Sequence, residues 1–172
     1  MDVLEQRAVW RERFEAWLAA PPVDGKRDWK RYPRPRNAAA PAGPGVEPGK
    51  ARLMLVSSAG GYLAASQLPF DAAAFIGDYT VRRLPSATPF EALAFAHEHY
   101  DHEAVNGDPQ VLLPLRHLEA LAAEGTLGSV TPSFVSFMGY QPDVTRVVDE
   151  TLPAVIEAAE AEHADAVLLV PS

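Results

Sequence analysis

Apolar positions follow different periods in different parts of the chain, and each period predicts its own element. Val3, Trp10, Phe14, Trp17 and Leu18 recur at helical spacing, and Asp2 with Glu5 has the form of a capping box, so an amphipathic helix is expected over residues 3–18. Two indoles on one helix need an apolar surface, supplied by the same chain or by a second subunit. Further on, Leu53-Met54-Leu55-Val56 is a short apolar run closed by Ser57-Ser58-Ala59-Gly60-Gly61, which reads as a buried strand entering a tight glycine turn. Tyr79 to Leu84 suits a second strand. Between Glu91 and His99 two patterns compete. Thr88-Pro89-Phe90-Glu91 resembles a helix start, yet Leu93, Phe95, His97 and His99 alternate at period two, and a strand is the expectation.

Val111 to Leu113 is expected to be extended, and Leu115, Leu118, Leu121 and Ala122 mark a helix that stops at Gly125. Gly128 to Tyr140, rich in Ser, Thr, Val and Phe, predicts strand mixed with loop. Asp143 caps a long helical pattern from Val144 to Ala159, and Pro153 inside it predicts a kink or a restart at Thr151. Ala166 to Val170 is a last, strongly apolar strand. Strands alternating with helices argue for an α/β fold with a mostly parallel sheet and helices on both faces. That domain is expected over residues 51–172, preceded by the N-terminal helix at 1–20 and a Pro/Gly-rich arm at 21–50. Seven prolines and four glycines between positions 21 and 49 disfavour regular structure there.

Composition narrows the function classes. With 172 residues and 48% hydrophobic content the chain can bury one substantial core. No apolar stretch approaches the roughly 20 residues that cross a bilayer, and the charged N-terminus does not read as a secretory signal. A cytoplasmic protein is expected, and the absence of cysteine agrees with it. The net charge of −8 is split unevenly: residues 1–52 hold 11 of the 15 Lys and Arg but 7 of the 23 Asp and Glu, leaving +4 there and −12 in the remainder. An acidic body argues against nucleic-acid binding. The basic run Lys26, Arg27, Lys30, Arg31, Arg34, Arg36 is open to three readings: solvated, docked on the chain's own acidic surface, or docked on an acidic partner.

The densest candidate chemistry is His97-Glu98-His99-Tyr100-Asp101-His102, three of the five histidines in six residues. On a strand His97 and His99 would share a side, and with Asp101 and His102 they form a candidate set of ligands for a divalent metal, zinc or iron. The alternative is a set of hydrogen-bonding histidines at a strand end. The turn at Ser58, Gly60 and Gly61 follows a strand, where open α/β sheets place ligand loops, but it lacks both G-x-G-x-x-G and a Walker lysine. Ser136 and Tyr140 are polar groups suited to the same small-molecule pocket.

From Arg52 onward several segments, in order, resemble the selenoprotein B family of glycine/sarcosine/betaine/D-proline reductases. They are Ala51–Gly61, Pro69-Phe70-Asp71, Arg83–Ser86, His97–His102, Pro114–Leu118, Glu124–Ser129, Ser136–Tyr140 and Ala164–Pro171. The succession of H-x-H-Y-D-H, G-x-x-G-S and S-F-M-G-Y carries the resemblance. It implies a Rossmann-like α/β fold, reductive cleavage of a C–N bond, and a selenocysteine or cysteine just beyond the last strand, at the crevice of the sheet. The sequence stops at Ser172 and has neither residue. Two expectations follow: a short form that has lost the redox group, or a reading frame closed at a selenocysteine codon. The functional candidates are a reductase-like domain, a metal-dependent enzyme using the histidine cluster, and a non-catalytic subunit or binding module, with a homodimer or other reductase subunits as partners.

Overall fold

The computed structural model describes residues 3–23, 25–40, 43–98 and 100–172. Its centre is β1 (Arg52–Ser57), whose Met54, Leu55 and Val56 are buried, as an apolar run between two covered faces requires. On one side β1 pairs in parallel with β7 (Ala166–Val170), from Leu53↔Ala166 to Ser57↔Val170. On the other it pairs in parallel first with β5 (Ser129–Val130) and then with β6 (Ser133–Phe137). Pro132, which lacks an N–H for the ladder, separates those two strands. The outer strand β3 (Val81–Pro85) is antiparallel to β6, so the five-stranded sheet is mostly parallel. A separate antiparallel ribbon joins β2 (Gly61–Leu63) to β4 (Leu93–Phe95).

Alternation along the strands creates two cores. Leu55, Leu84 and Phe134 meet Leu113 and Leu127 together with Leu115 and Leu118 of α3 (Leu115–Ala123). Met54, Val56 and Val135 meet Val155, Ala158 and Ala159 of α5 (Leu152–Ala161). Helices therefore pack against both sets of sheet side chains. At the outer strand, Val167 and Leu169 of β7 remain exposed. A short helix, α2 (His102–Gly107), follows the histidine cluster.

The long helix begins as α4 (Val144–Arg146), capped by Asp143, whose side chain accepts from the Thr145 and Arg146 amides. It widens into a π turn at Val147–Thr151 and continues as α5, with Pro153 tolerated in that helix's first turn. The expected restart at Thr151 thus takes the form of one wide turn. Thr151 Oγ1 donates to the Tyr79 carbonyl at 3.0 Å and accepts from Gln141 Nε2 at 3.1 Å.

The N-terminal helix α1 spans Arg7–Ala19 and starts later than the capping-box pattern suggested. The Glu5 carboxylate is used elsewhere, accepting from the Ala38 and Ala39 amides, and Asp2 lies outside the described residues. The proline-rich segment contains a 3₁₀ turn at Trp29–Arg31 and folds back over α1. Trp10 Nε1 donates to the Pro33 carbonyl at 2.6 Å and Trp17 Nε1 to the Asp28 carbonyl at 2.9 Å. Both indoles are buried against Phe14 and Tyr32, so the same chain supplies the surface that they need. Val144 and Val148 close this third core from the long helix, and Arg11 joins the two by reaching Asp143 at 2.9 Å.

Two short elements differ from expectation. Val111 ends a 3₁₀ turn that begins at Pro109, because Asp108 caps that turn through the Gln110 amide. The strand expected through His99 stops at Phe95, after a 3₁₀ turn at Phe90–Ala92. Among the described residues no helix is long and apolar enough to cross a membrane.

Candidate functional site at the carboxyl ends of the parallel strands

Three parallel strands, β1, β6 and β7, end side by side, and the residues after each converge on one depression of about 430 Å3. Ser58 follows β1, Gly139 and Tyr140 follow β6, and Pro171 and Ser172 follow β7; His97 enters from the ribbon. Open sheets bind ligands at this end because the side chains there are released from strand pairing. Here the loops are locked to one another. The Ser58 amide donates to the Val170 carbonyl at 3.1 Å, and the Gly139 amide donates to the Ser58 carbonyl at 3.1 Å. The Ser172 amide donates to Ser58 Oγ at 2.8 Å, and the two serine hydroxyls lie 2.9 Å apart.

Gly60 explains how His97 reaches this place. Its φ of +66° is a left-handed conformation that glycine adopts without strain, and it turns the chain from β1 into the ribbon. The Gly60 amide donates to the Phe137 carbonyl, and the Gly60 carbonyl accepts from the Ala96 amide. A Cβ at Gly60 would sit 2.9 Å from Met138 Sδ and 3.1 Å from His97 Cβ. The glycine turn, the histidine segment and the Ser136–Tyr140 segment are therefore in van der Waals contact. A Cβ at Gly139 would lie 3.0 Å from His97 Nε2, 3.1 Å from Ser172 Oγ and 3.2 Å from Ser58 Oγ. One missing methyl group thus leaves the space between a buried imidazole and two hydroxyls.

Tyr100 and His102 support His97. The Tyr100 ring lies between the rings of His97, at 5.2 Å, and His102, at 4.9 Å, and its hydroxyl donates to the Ala59 carbonyl. Burial pushes the Tyr100 phenol up to about 12. His102 Nε2 lies 2.6 Å from the His97 carbonyl oxygen, and the Asp101 carboxylate caps α2 through the Glu103 amide. Those contacts commit Asp101 and His102 to holding a loop, and the metal reading finds no support: among the described residues no three His, Asp or Glu side chains are grouped to hold an ion. His99 lies outside the described residues.

Of the expected pocket residues, Ser58 and Tyr140 line the depression, Gly60 lies behind it against His97, and Gly61 faces Phe95 and Ser136 outside the lining. Ser136 is fully buried beside Gly61, and among the described residues its Oγ has no hydrogen-bond partner. Tyr140 donates to the Phe75 carbonyl. Gly139 lies within the S-F-M-G-Y segment put forward for the pocket, whereas sequence reasoning missed Ser172, which the pairing of β7 with β1 brings in and no local motif announces.

A family model for glycine/sarcosine/betaine reductase selenoprotein B matches residues 34–171. The D-proline reductase subunit gamma of Acetoanaerobium sticklandii is 31% identical over 117 residues, covering 68% of this chain and 47% of that protein. The chain therefore spans about half the length of this curated relative. No solved structure matches it. The family match runs from the proline-rich segment through β7 to Pro171 and takes in every residue lining the depression except Ser172, and on that ground the chain belongs to the glycine/sarcosine/betaine reductase selenoprotein B family.

Proposed function

We propose that this chain is a component of a reductase acting on a small amino-acid-like substrate of the glycine, sarcosine, betaine or D-proline type, and that the depression at Ser58, His97, Gly139 and Ser172 receives that substrate. The observation that carries the reading is the convergence of three strand-end loops on one buried imidazole, in a chain of this family. A depression of about 430 Å3 falls within the ordinary range of small-molecule sites. Such substrates carry a carboxylate, and two hydroxyls beside an imidazole offer hydrogen-bond donors for it. In reductive cleavage, two electrons and two protons convert the C–N bond into C–H and N–H while a thiol or selenol pair is oxidised to a disulfide or selenenylsulfide. None of the 172 residues is a cysteine, so in this reading the reducing group is supplied from outside them. His97 is the candidate for passing a proton to the departing nitrogen.

Calorimetric titration of the full chain with glycine, sarcosine, betaine and D-proline tests the proposal. One of the four is expected to bind, and His97→Gln is expected to weaken it at least tenfold with an unchanged circular dichroism spectrum. If none binds, or if binding ignores the His97 substitution, the assignment of this site is wrong.

A further inference from the structure

A second surface, independent of the strand-end site, carries its own inference. Among the described residues each arginine of the body beyond β1 has a partner. Arg83 pairs with Glu162, Arg116 with Glu119 and Arg146 with Glu150, while Arg82 lies over the Phe70 ring. On α1 itself Arg7 pairs with Asp149 and Arg11 with Asp143. The groove between α1 and the folded-back segment is different. Arg13, Lys30, Arg31, Arg34 and Arg36 line a cavity of about 820 Å3, all five exposed. Among the described residues Arg13, Lys30, Arg34 and Arg36 make no ion pair, and Arg31 reaches only Asp28, at 3.5 Å. Among the described residues the one carboxylate in the lining, Glu5, is occupied by the Ala38 and Ala39 amides.

Clustered like charges repel one another, and a chain with 23 acidic residues had carboxylates available to neutralise them. Val9, Ala16 and Pro33 supply an apolar floor between the charged rims. We infer that this groove docks an acidic, partly apolar segment of a partner polypeptide, its apolar side chains on the floor and its carboxylates against the five cations. A single-stranded nucleic acid fits less well. Base stacking needs open aromatic faces in the groove, whereas the indoles that line it, Trp10 and Trp17, are buried against Phe14, Trp29 and Tyr32, and the exposed Trp29 lies outside the lining.

Fluorescence anisotropy on the full chain tests this with three labelled probes: a short peptide of glutamates interspersed with leucines, the same peptide with glutamine replacing glutamate, and a single-stranded oligonucleotide. The glutamate peptide is expected to bind, to weaken as salt rises, and to lose about tenfold in affinity in Arg34→Glu/Arg36→Glu. The exposed control pair Lys26→Glu/Lys50→Glu, with the same change in net charge, is expected to bind as the parent does. Absence of peptide binding, equal binding of the glutamine peptide, equal loss in the control, or tighter binding of the oligonucleotide would each overturn the inference. Since neither double variant touches the strand-end depression, its outcome is separable from the substrate titration.

Discussion

The sheet and the N-terminal segment are held by different kinds of contact. Around β1 the chain makes five consecutive parallel pairings with β7 and buries Leu55, Leu84 and Phe134 completely. Around α1 the segment after it is held by two indole N–H groups, the Arg27 guanidinium on the Trp17 and Ala20 carbonyls, the Glu5 carboxylate, the Asn37 amide on Val3 and Glu5 and the Tyr32 hydroxyl on the Pro142 carbonyl, over a small aromatic core. Removing one contact from a ladder leaves its neighbours in register, whereas each of the few indole contacts carries a large share of its own region. The sheet should therefore open only in global unfolding and the N-terminal segment in a separate, cheaper step.

Substitutions can break that contrast, beginning with the largest effect. Phe134→Ala removes a fully buried ring from the sheet core and is expected to destabilise the protein by about 3–5 kcal/mol in denaturant melts, with both regions lost together. Gly60→Ala forces a side chain into a left-handed conformation against Met138, with a loss of roughly 1–3 kcal/mol that also displaces His97. Trp17→Phe keeps an aromatic ring but deletes the bond to the Asp28 carbonyl, at about 1 kcal/mol. Hydrogen exchange should quicken in residues 7–36 while β1 and β6 stay protected. If β1 exchanges faster as well, the two regions form one cooperative unit. Gly139→Ala should have the smallest effect on stability, because its Cβ meets side-chain atoms at 3.0–3.2 Å that yield by tenths of an ångström. The same methyl fills the space beside His97, so ligand titration should lose its signal while the melting curve barely moves.

Two tyrosines sharpen the comparison through pH. Burial pushes Tyr100, beside the strand-end site, up to about 12, and burial together with the Asp143 charge does the same for Tyr32 in the N-terminal core. A phenol whose folded value lies above the ordinary 10.0 stabilises the fold fully below that value. The contribution is lost as pH rises from 10 through 12. Absorbance titration should show both ionising late, with Tyr32→Phe and Tyr100→Phe each removing one late step. If cooperative unfolding of the N-terminal segment precedes the ionisation of Tyr100, Tyr32 should titrate first.

Much of the sheet was legible because burial on two faces writes an unbroken apolar run, as in β1, and β7 carries a similar run although its Val167 and Leu169 are exposed. Gly125, at φ +77°, ends α3 where the sequence placed the stop. The helix α1 was legible from its period, but the fold-back of the proline-rich segment over it was not, since Trp10 to Pro33 and Trp17 to Asp28 are tertiary bonds to main-chain carbonyls that leave no periodic trace. At the site, the sequence put the glycine turn, Ser136 and Tyr140 forward for one pocket, but the antiparallel pairing of β2 with β4 that carries the histidine segment there was not legible. The direction of each side chain was not. Asp101 and His102 have the composition of metal ligands, yet a helix cap and a main-chain carbonyl hold them.

The wide turn at Val147–Thr151 gives the long helix two working faces. Its first part presents Val144 and Val148 to α1, and its second presents Val155 and Ala158 to the sheet. Each residue of an α-helix advances about 100° around the axis, so deleting one position from that turn would swing one half out of phase with the other. The bulge times the helix like the offset between two cranks on a shaft, and it lets a single rod drive two cores that no strand connects.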